Sequence, residues 1–137
     1  MKTAVVTGGL GFIGSNLIRM LSNKGYFVIN IDKVSYASNF SNISENIKNY
    51  SFYKLNINNQ NKVYEILNKY KPKVIYNLAA ETHVDKSIDG PKEFINSNIL
   101  GVFNLLEAIR NYIKKNSLRF IHISTDEVYG DIIDKIK

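Results

Sequence analysis

The sequence predicts an α/β fold, a doubly wound parallel sheet truncated after about five strands. Three observations predict it. Short apolar runs alternate with longer amphipathic stretches along the whole chain. A glycine-rich turn from Thr7 to Gly14 joins the first run to the first amphipathic stretch. An aspartate, Asp32, closes the second run about 20 residues after those glycines.

The 137 residues suffice for one domain with a buried core, and an apolar content of 45% excludes a disordered tail. No apolar run reaches the roughly 18 residues of a membrane span, and the N-terminus shows no leader, so no membrane partner is expected. The absence of cysteine removes disulfides and thiolate sites and fits a cytoplasmic protein. The two histidines, His83 and His122, cannot hold a metal alone, so no metal is expected. The net charge of +6 arises from scattered lysines, Lys24, Lys33, Lys48, Lys54, Lys62 and Lys69 among them. That dispersion argues against a nucleic-acid stripe.

The elements follow in order. Ala4-Val5-Val6 reads as a short buried strand, and Phe12 to Lys24 as a helix with Ile13, Leu17, Ile18 and Leu21 on one face. Gly25 ends that helix, as a residue tolerating positive φ would. Phe27 to Ile31 forms a second strand closed by Asp32. Lys33 to Tyr50 reads as a long functional loop with one helical turn near Ile43 to Ile47. Phe52 to Ile57 reads as a third strand, and Val63, Ile66 and Leu67 mark a helix ending before Pro72. Val74-Ile75-Tyr76 is the fourth strand, followed by a loop through Gly90. Pro91 opens a helix running to about Lys115, with a stripe of Ile95, Ile99, Val102, Leu106, Ile109 and Ile113. Leu100, Phe103, Leu105 and Tyr112 lie off that stripe, so the helix wants two neighbours, the sheet and a partner subunit. The last strand is Phe120 to Ser124, with Phe120, His122 and Ser124 on one face.

Gly8, Gly11 and Gly14 are spaced G-x-x-G-x-x-G between a strand and a helix. Gly8 permits the tight turn, Gly11 a close approach to a pyrophosphate, and Gly14 the packing of helix on strand. The helix N-terminus offers free N–H groups and a favourable dipole to the anion. Asp32 is placed to accept from ribose hydroxyls and to repel a 2′-phosphate, which favours NAD over NADP. Lys33 weakens that preference a little. The residues thus outline a Rossmann-type NAD-binding domain; a structural glycine turn beside a surface aspartate is the plain alternative.

Leu78-Ala79-Ala80-Glu81-Thr82-His83-Val84-Asp85 begins where a fourth strand ends, and Ala79 and Ala80 are small enough for a ligand to lie against the backbone. His83 reads best as a structural residue holding a loop, with Asp85 and Asp89 as loop or capping residues. The glycine spacing resembles the extended short-chain dehydrogenase/reductase superfamily. Asp32-Lys33-Val34-Ser35-Tyr36-Ala37 and the stretch from Leu78 to Pro91 resemble dTDP-glucose 4,6-dehydratases within it, and the resemblance covers essentially the whole chain.

Ser124-Thr125-Asp126-Glu127-Val128-Tyr129-Gly130 carries adjacent carboxylates at the end of a strand expected to be buried. Removing water from a sugar needs one group to take a carbon-bound proton and another to protonate the departing hydroxyl. An acidic pair on an exposed turn is the alternative reading of the residues alone. The resemblance implies that Asp126 is the acid at the C6 hydroxyl, Glu127 the base at C5, and Thr125 a hydrogen-bond partner of the C4 hydroxyl. It implies hydride transfer from C4 to NAD, loss of water across C5 and C6, and return of hydride to C6. Related 4-epimerases usually carry small residues where Asp126 and Glu127 stand.

By the same resemblance Phe12 and Ile13 lie at the pyrophosphate and Asp32, Lys33, Val34 and Ser35 at the adenosine ribose. Asn56 and Ile57 flank the adenine, although the family usually has Asp at the position of Asn56. Leu78, Ala79, Ala80 and Glu81 line the dinucleotide path, Ser97 contacts it from the long helix, and Thr82 and Thr125 contact the nucleotide-sugar substrate. The superfamily also needs a Tyr-x-x-x-Lys pair on a later helix. Tyr50 and Lys54 match it in letters only, and Tyr129 has no Lys four residues on. Residues 1–137 are therefore expected to form an incomplete NAD-binding domain, lacking the sugar-binding portion and inactive alone, from an enzyme whose long helix resembles one used in a homodimer. The alternatives are a non-catalytic NAD-binding module, or another nucleotide-sugar enzyme such as a UDP-glucose 4,6-dehydratase or a 4-epimerase.

Overall fold

A computed structural model describes residues 1–43 and 47–130. Strands β1 (Thr3–Thr7), β2 (Phe27–Asp32), β3 (Tyr50–Lys54), β4 (Val74–Asn77) and β5 (Arg119–His122) form one sheet in the order β3-β2-β1-β4-β5. Every pairing is parallel. Helices α1 (Phe12–Asn23) and α2 (Gln60–Tyr70) cross between strands. Short α3 (Val84–Asp89) and α4 (Pro91–Phe94) lead through a π-helical segment, Ile95–Leu100, into α5 (Gly101–Ile113).

Both faces of the sheet are covered, which is why its strands read as nearly continuous apolar runs. Alternation along β1 sends Ala4 and Val6 to one side, where they meet Ile18 and Leu21 of α1. Val5 goes to the other side, where Ile29, Ile31 and Ile75 pack against Val63 and Leu67 of α2 and Leu105, Ile109 and Tyr112 of α5. Each fully buried Ile or Leu of this kind contributes about 1.5–3 kcal/mol. The α/β fold with a doubly wound, five-stranded parallel sheet is therefore as expected.

Several boundaries differ. The third strand ends at Lys54, and Ile57, expected within it, is instead a buried loop residue beneath Gly101 of α5. The loop expected between Asn77 and Gly90 contains α3. The last strand stops at His122 and is a half-exposed edge. The turn expected near Ile43 to Ile47 includes residues 44–46, which lie outside the described residues; a 3₁₀ turn stands just before it at Phe40–Asn42. Gly25 follows α1 with φ of +78°, and α2 ends at left-handed Lys71 before Pro72, both as expected.

The long helix shows the largest departure. Its buried line runs through Ser97, Gly101, Leu105, Ala108, Ile109 and Tyr112. Ile95, Ile99, Leu106 and Ile113 of the expected stripe are exposed. The true contact line keeps helical spacing but passes through Ser97, Gly101 and Ala108, small residues that hydropathy undervalues. A Cβ on Gly101 would already stand 3.1 Å from Ile57 Cδ1. On α1, Ile13 is likewise 62% exposed, at the helix mouth and away from the core.

Candidate functional site

The carboxyl ends of all five strands point to one edge of the sheet, and the chain reverses its winding direction between β1 and β4. Such a switch point opens a crevice for ligands. The turn after β1 lies in it. Gly8 has φ of +68°, and a Cβ there would stand 2.9 Å from the Ala79 backbone after β4. A Cβ on Gly14 would run into the Gly8 carbonyl, so α1 leaves the turn at closest approach. At Gly11 the nearest obstacle is the Gly8 oxygen at 3.3 Å. No side chain caps α1, and its first turn holds no acidic residue, with Phe12 and Ile13 exposed there. The sequence reading missed Gly9, whose N–H donates to the buried Asn30 side chain at 3.1 Å. A polar residue inside an apolar strand was the available signal.

Asp32 closes β2 almost fully buried. Its Oδ2 accepts from the Leu10 N–H at 3.0 Å, while Oδ1 accepts from the Val34 N–H and the Ser38 hydroxyl, each at 2.8 Å. Ser38 Oγ also accepts from the Ser35 N–H. The carboxylate thus fastens the glycine turn to the loop after β2. Val34 holds φ of +61°, a conformation costly for a β-branched residue.

Lys33 crosses from that loop to the neighbouring one. Its Nζ lies 2.6 Å from Glu81 Oε1 and donates to Ser97 Oγ at 2.9 Å. Glu81 is buried, and Asn98 grips its backbone from the π-helical segment: Asn98 Oδ1 accepts from Glu81 N–H and Asn98 Nδ2 donates to Glu81 O, both at 2.8 Å. Burial and then the hydrogen-bonded Glu81 carboxylate raise the Tyr36 phenol above its ordinary value. The exposed His83 ring sits 5.4 Å from that of Tyr36, joining the same two loops.

A polar chain ties three strand ends together. The Ala79 N–H donates to Thr7 Oγ1, Thr7 Oγ1 donates to Asn77 Oδ1 at 2.5 Å, and Asn77 Nδ2 lies 2.9 Å from His122 Nδ1. His122 also stacks on Phe120, so the two share a face as expected. Beyond His122, Thr125 caps a 3₁₀ turn, Asp126–Tyr129, its Oγ1 accepting from the Glu127 N–H at 3.3 Å and donating to Asp126 at 3.3 Å. Asp126 and Glu127 both face solvent, and the strand leading to them is not buried as the sequence had suggested.

The remaining sequence candidates also gather at this edge. Leu78 and Ala79 follow β4 half-buried, and Ala80 and Thr82 are exposed. Asn56 follows β3, its Oδ1 accepting from the Asn58 N–H at 3.0 Å. Tyr50 and Lys54 belong to β3, at the opposite edge of the sheet from β5. Among the described residues no cluster of three His, Cys, Asp or Glu could hold a metal, and no helix is long and apolar enough to cross a membrane.

Comparison with known proteins agrees with this geometry. The sequence profile of the GDP-mannose 4,6 dehydratase family matches residues 5–136. A dTDP-glucose 4,6-dehydratase from Haemophilus influenzae is 49% identical over 141 residues, which cover 96% of this chain and 42% of that relative. A Streptomyces venezuelae dTDP-glucose 4,6-dehydratase crystallised with NAD and TYD superposes with a TM-score of 0.85 at 34% identity, covering 95% of this chain and 41% of that one. A Thermotoga maritima UDP-glucose 4-epimerase with UDP-glucose superposes with a TM-score of 0.83 at 32% identity, covering 96% and 40%. The chain thus spans about two fifths of the length of these relatives. With its glycine turn, its Asp32 brace and the profile matched over nearly all of its length, the chain belongs to the GDP-mannose 4,6 dehydratase family.

Proposed function

We propose that residues 1–137 form the NAD-binding part of a dTDP-glucose 4,6-dehydratase. The observation that carries the reading is the uncapped α1 N-terminus, set in a glycine turn whose walls leave no room for a Cβ at Gly8 or Gly14. The site fits a dinucleotide on chemical grounds. A helix N-terminus without its own cap presents donors to a pyrophosphate. A carboxylate has about four lone-pair sites. Asp32 spends three of them internally, and one of those partners is the Ser38 hydroxyl, which can rotate away, so a ribose diol can be accepted.

Gly8, Gly11, Phe12, Ile13 and Gly14 would hold the pyrophosphate, and Asp32, Lys33, Val34 and Ser35 the adenosine ribose. Asn56 and Ile57 would border the adenine. Leu78 to Glu81 and Ser97 would line the path, and Thr82 would meet the sugar nucleotide. The chemistry that NAD supplies when bound is acceptance of a hydride from C4 and its return to C6. Thr125 hydrogen-bonds the C4 hydroxyl, Glu127 takes the C5 proton, and Asp126 gives a proton to the departing C6 hydroxyl. In this reading the base that deprotonates the C4 hydroxyl comes from outside these residues, and the whole enzyme is a homodimer joined through the exposed face of α5.

Calorimetry with NAD+ and NADP+ tests the cradle, with Asp32→Ala as the control. Tight NAD+ binding weakened in the variant is expected; a folded chain that binds neither cofactor refutes it. The chemical assignment is tested by incubating the whole protein with dTDP-glucose and detecting a 4-keto-6-deoxy sugar nucleotide. A C4 epimer as the sole product would favour the epimerase reading, to which the Thermotoga similarity lends support.

A further inference from the structure

Next to Asp32 stands a cation, Lys33, of the kind that a ribose 2′-phosphate binds. Its ammonium is already committed, 2.6 Å from Glu81 and donating to Ser97. Glu81 is only 7% exposed, and a carboxylate so buried is costly to leave without its cation. The same carboxylate also acts on the Tyr36 phenol, which burial and then Glu81 hold above its ordinary value.

We infer that Glu81 is a specificity-determining residue that excludes NADP by sequestering Lys33. Discrimination then rests on two side chains with different actions. Asp32 repels the 2′-phosphate, and Glu81 withholds the cation that would offset the repulsion. Replacing Asp32 alone therefore does not create an NADP site, because Lys33 stays turned toward Glu81. The inference depends on the dinucleotide reading above.

The fold permits a clean separation of charge from structure. Asn98 holds the Glu81 backbone through two hydrogen bonds that the side chain does not share. Glu81→Gln therefore removes the charge and leaves the loop anchored.

The test is calorimetric titration of this chain with NAD+ and NADP+, in wild-type, Asp32→Ala, Glu81→Gln and doubly substituted forms, each checked for folding by circular dichroism. NADP+ affinity is expected to rise about tenfold from Asp32→Ala to the double variant, the scale of one charge-assisted hydrogen bond. Adding Lys33→Met should abolish that rise, and high salt should shrink it. Equal NADP+ affinity in the Asp32→Ala and double variants overturns the inference and leaves the NAD reading standing. A folded wild-type chain that binds neither dinucleotide overturns both. If Asp32→Ala fails to fold, Glu81→Gln alone decides, through a shift of the NADP+ to NAD+ affinity ratio of about threefold; an unchanged ratio overturns the inference.

Discussion

Asn77 Nδ2 lies 2.9 Å from His122 Nδ1, across the ends of β4 and β5. The other end of the Asn77 amide accepts the Thr7 hydroxyl, so one buried side chain ties the ends of three strands together. Asn77 is fully buried, and its replacement by Ala strands the Thr7 hydroxyl. Asn77→Ala is expected to cost about 1–3 kcal/mol in urea unfolding. His122→Ala, at an exposed position, should cost less, and a larger loss than that of Asn77→Ala would contradict the chain as drawn.

The glycines separate by their surroundings. Gly25 and Gly8 both have positive φ, but Gly25 meets nothing within 4 Å while Gly8 faces the Ala79 backbone at 2.9 Å. Gly25→Ala is expected to cost about 1–2 kcal/mol, the strain of a left-handed Cβ. Gly8→Ala should cost clearly more and disturb the β1–β4 crevice. Thermal unfolding of the two variants compares them directly.

Val34 sits at φ of +61° in the loop fastened to Asp32. Asparagine tolerates that conformation far better than a β-branched residue. Val34→Asn is expected to stabilise the chain by about 0.5–1 kcal/mol in denaturant titration. No change in the midpoint would mean that the valine side chain repays its strain through packing.

Burial raises the Tyr50 phenol above its ordinary value of 10.0, against the opposing hydrogen bond from Asn30. A raised folded-state value favours the neutral form in the fold. The associated stability is fully present below about pH 10 and is lost as pH rises through the higher folded-state value. Tyr50→Phe removes this alkaline dependence but leaves the buried Asn30 amide short of a partner. Its stability at neutral pH should fall by about 1 kcal/mol, with a flatter profile above pH 10, measured by urea unfolding across pH.

Ile95, Ile99, Phe103, Leu106 and Ile113 are exposed along one helix. Phe103→Glu should leave unfolding free energy within about 0.5 kcal/mol of wild type, since surface changes seldom do more. Sedimentation velocity should show less self-association in the variant if this face joins two copies. Unchanged association would remove α5 from the proposed dimer interface.

The glycine turn, Asp32 and the strand rhythm were legible because each is local: a turn needing positive φ, a carboxylate at a strand end, and apolar runs covered on both faces. The helix face was not, because its contact line runs through Ser97, Gly101 and Ala108, where side chains are small, while larger apolar side chains beside it face out. The third strand was placed too late because Leu55 and Ile57 continue the apolar pattern past the ladder into the core. The bonds of Asn77 to Thr7 and His122, of Lys33 to Glu81, and of Asn30 to Gly9 join residues far apart in sequence, and no local pattern announces them. Thr125, Asp126 and Glu127 stand on a solvent-facing turn, the placement that the sequence offered only as its alternative, because the ladder of β5 stops short of them at His122.

The extra residue within Ile95–Leu100 lets one rod be clocked twice. Downstream, Leu105 and Tyr112 are in phase with the sheet; upstream, Ser97 and Asn98 are in phase with Lys33 and Glu81. Each residue of an α-helix turns the chain by about 100°. Deleting Ile99 would close the wide turn into ordinary helix and swing Ser97 and Asn98 about that far from their partners, with the packing of Leu105 and Tyr112 untouched. The grip on the crevice can therefore be changed by one residue while the hydrophobic seam that makes the domain cohere keeps its alignment.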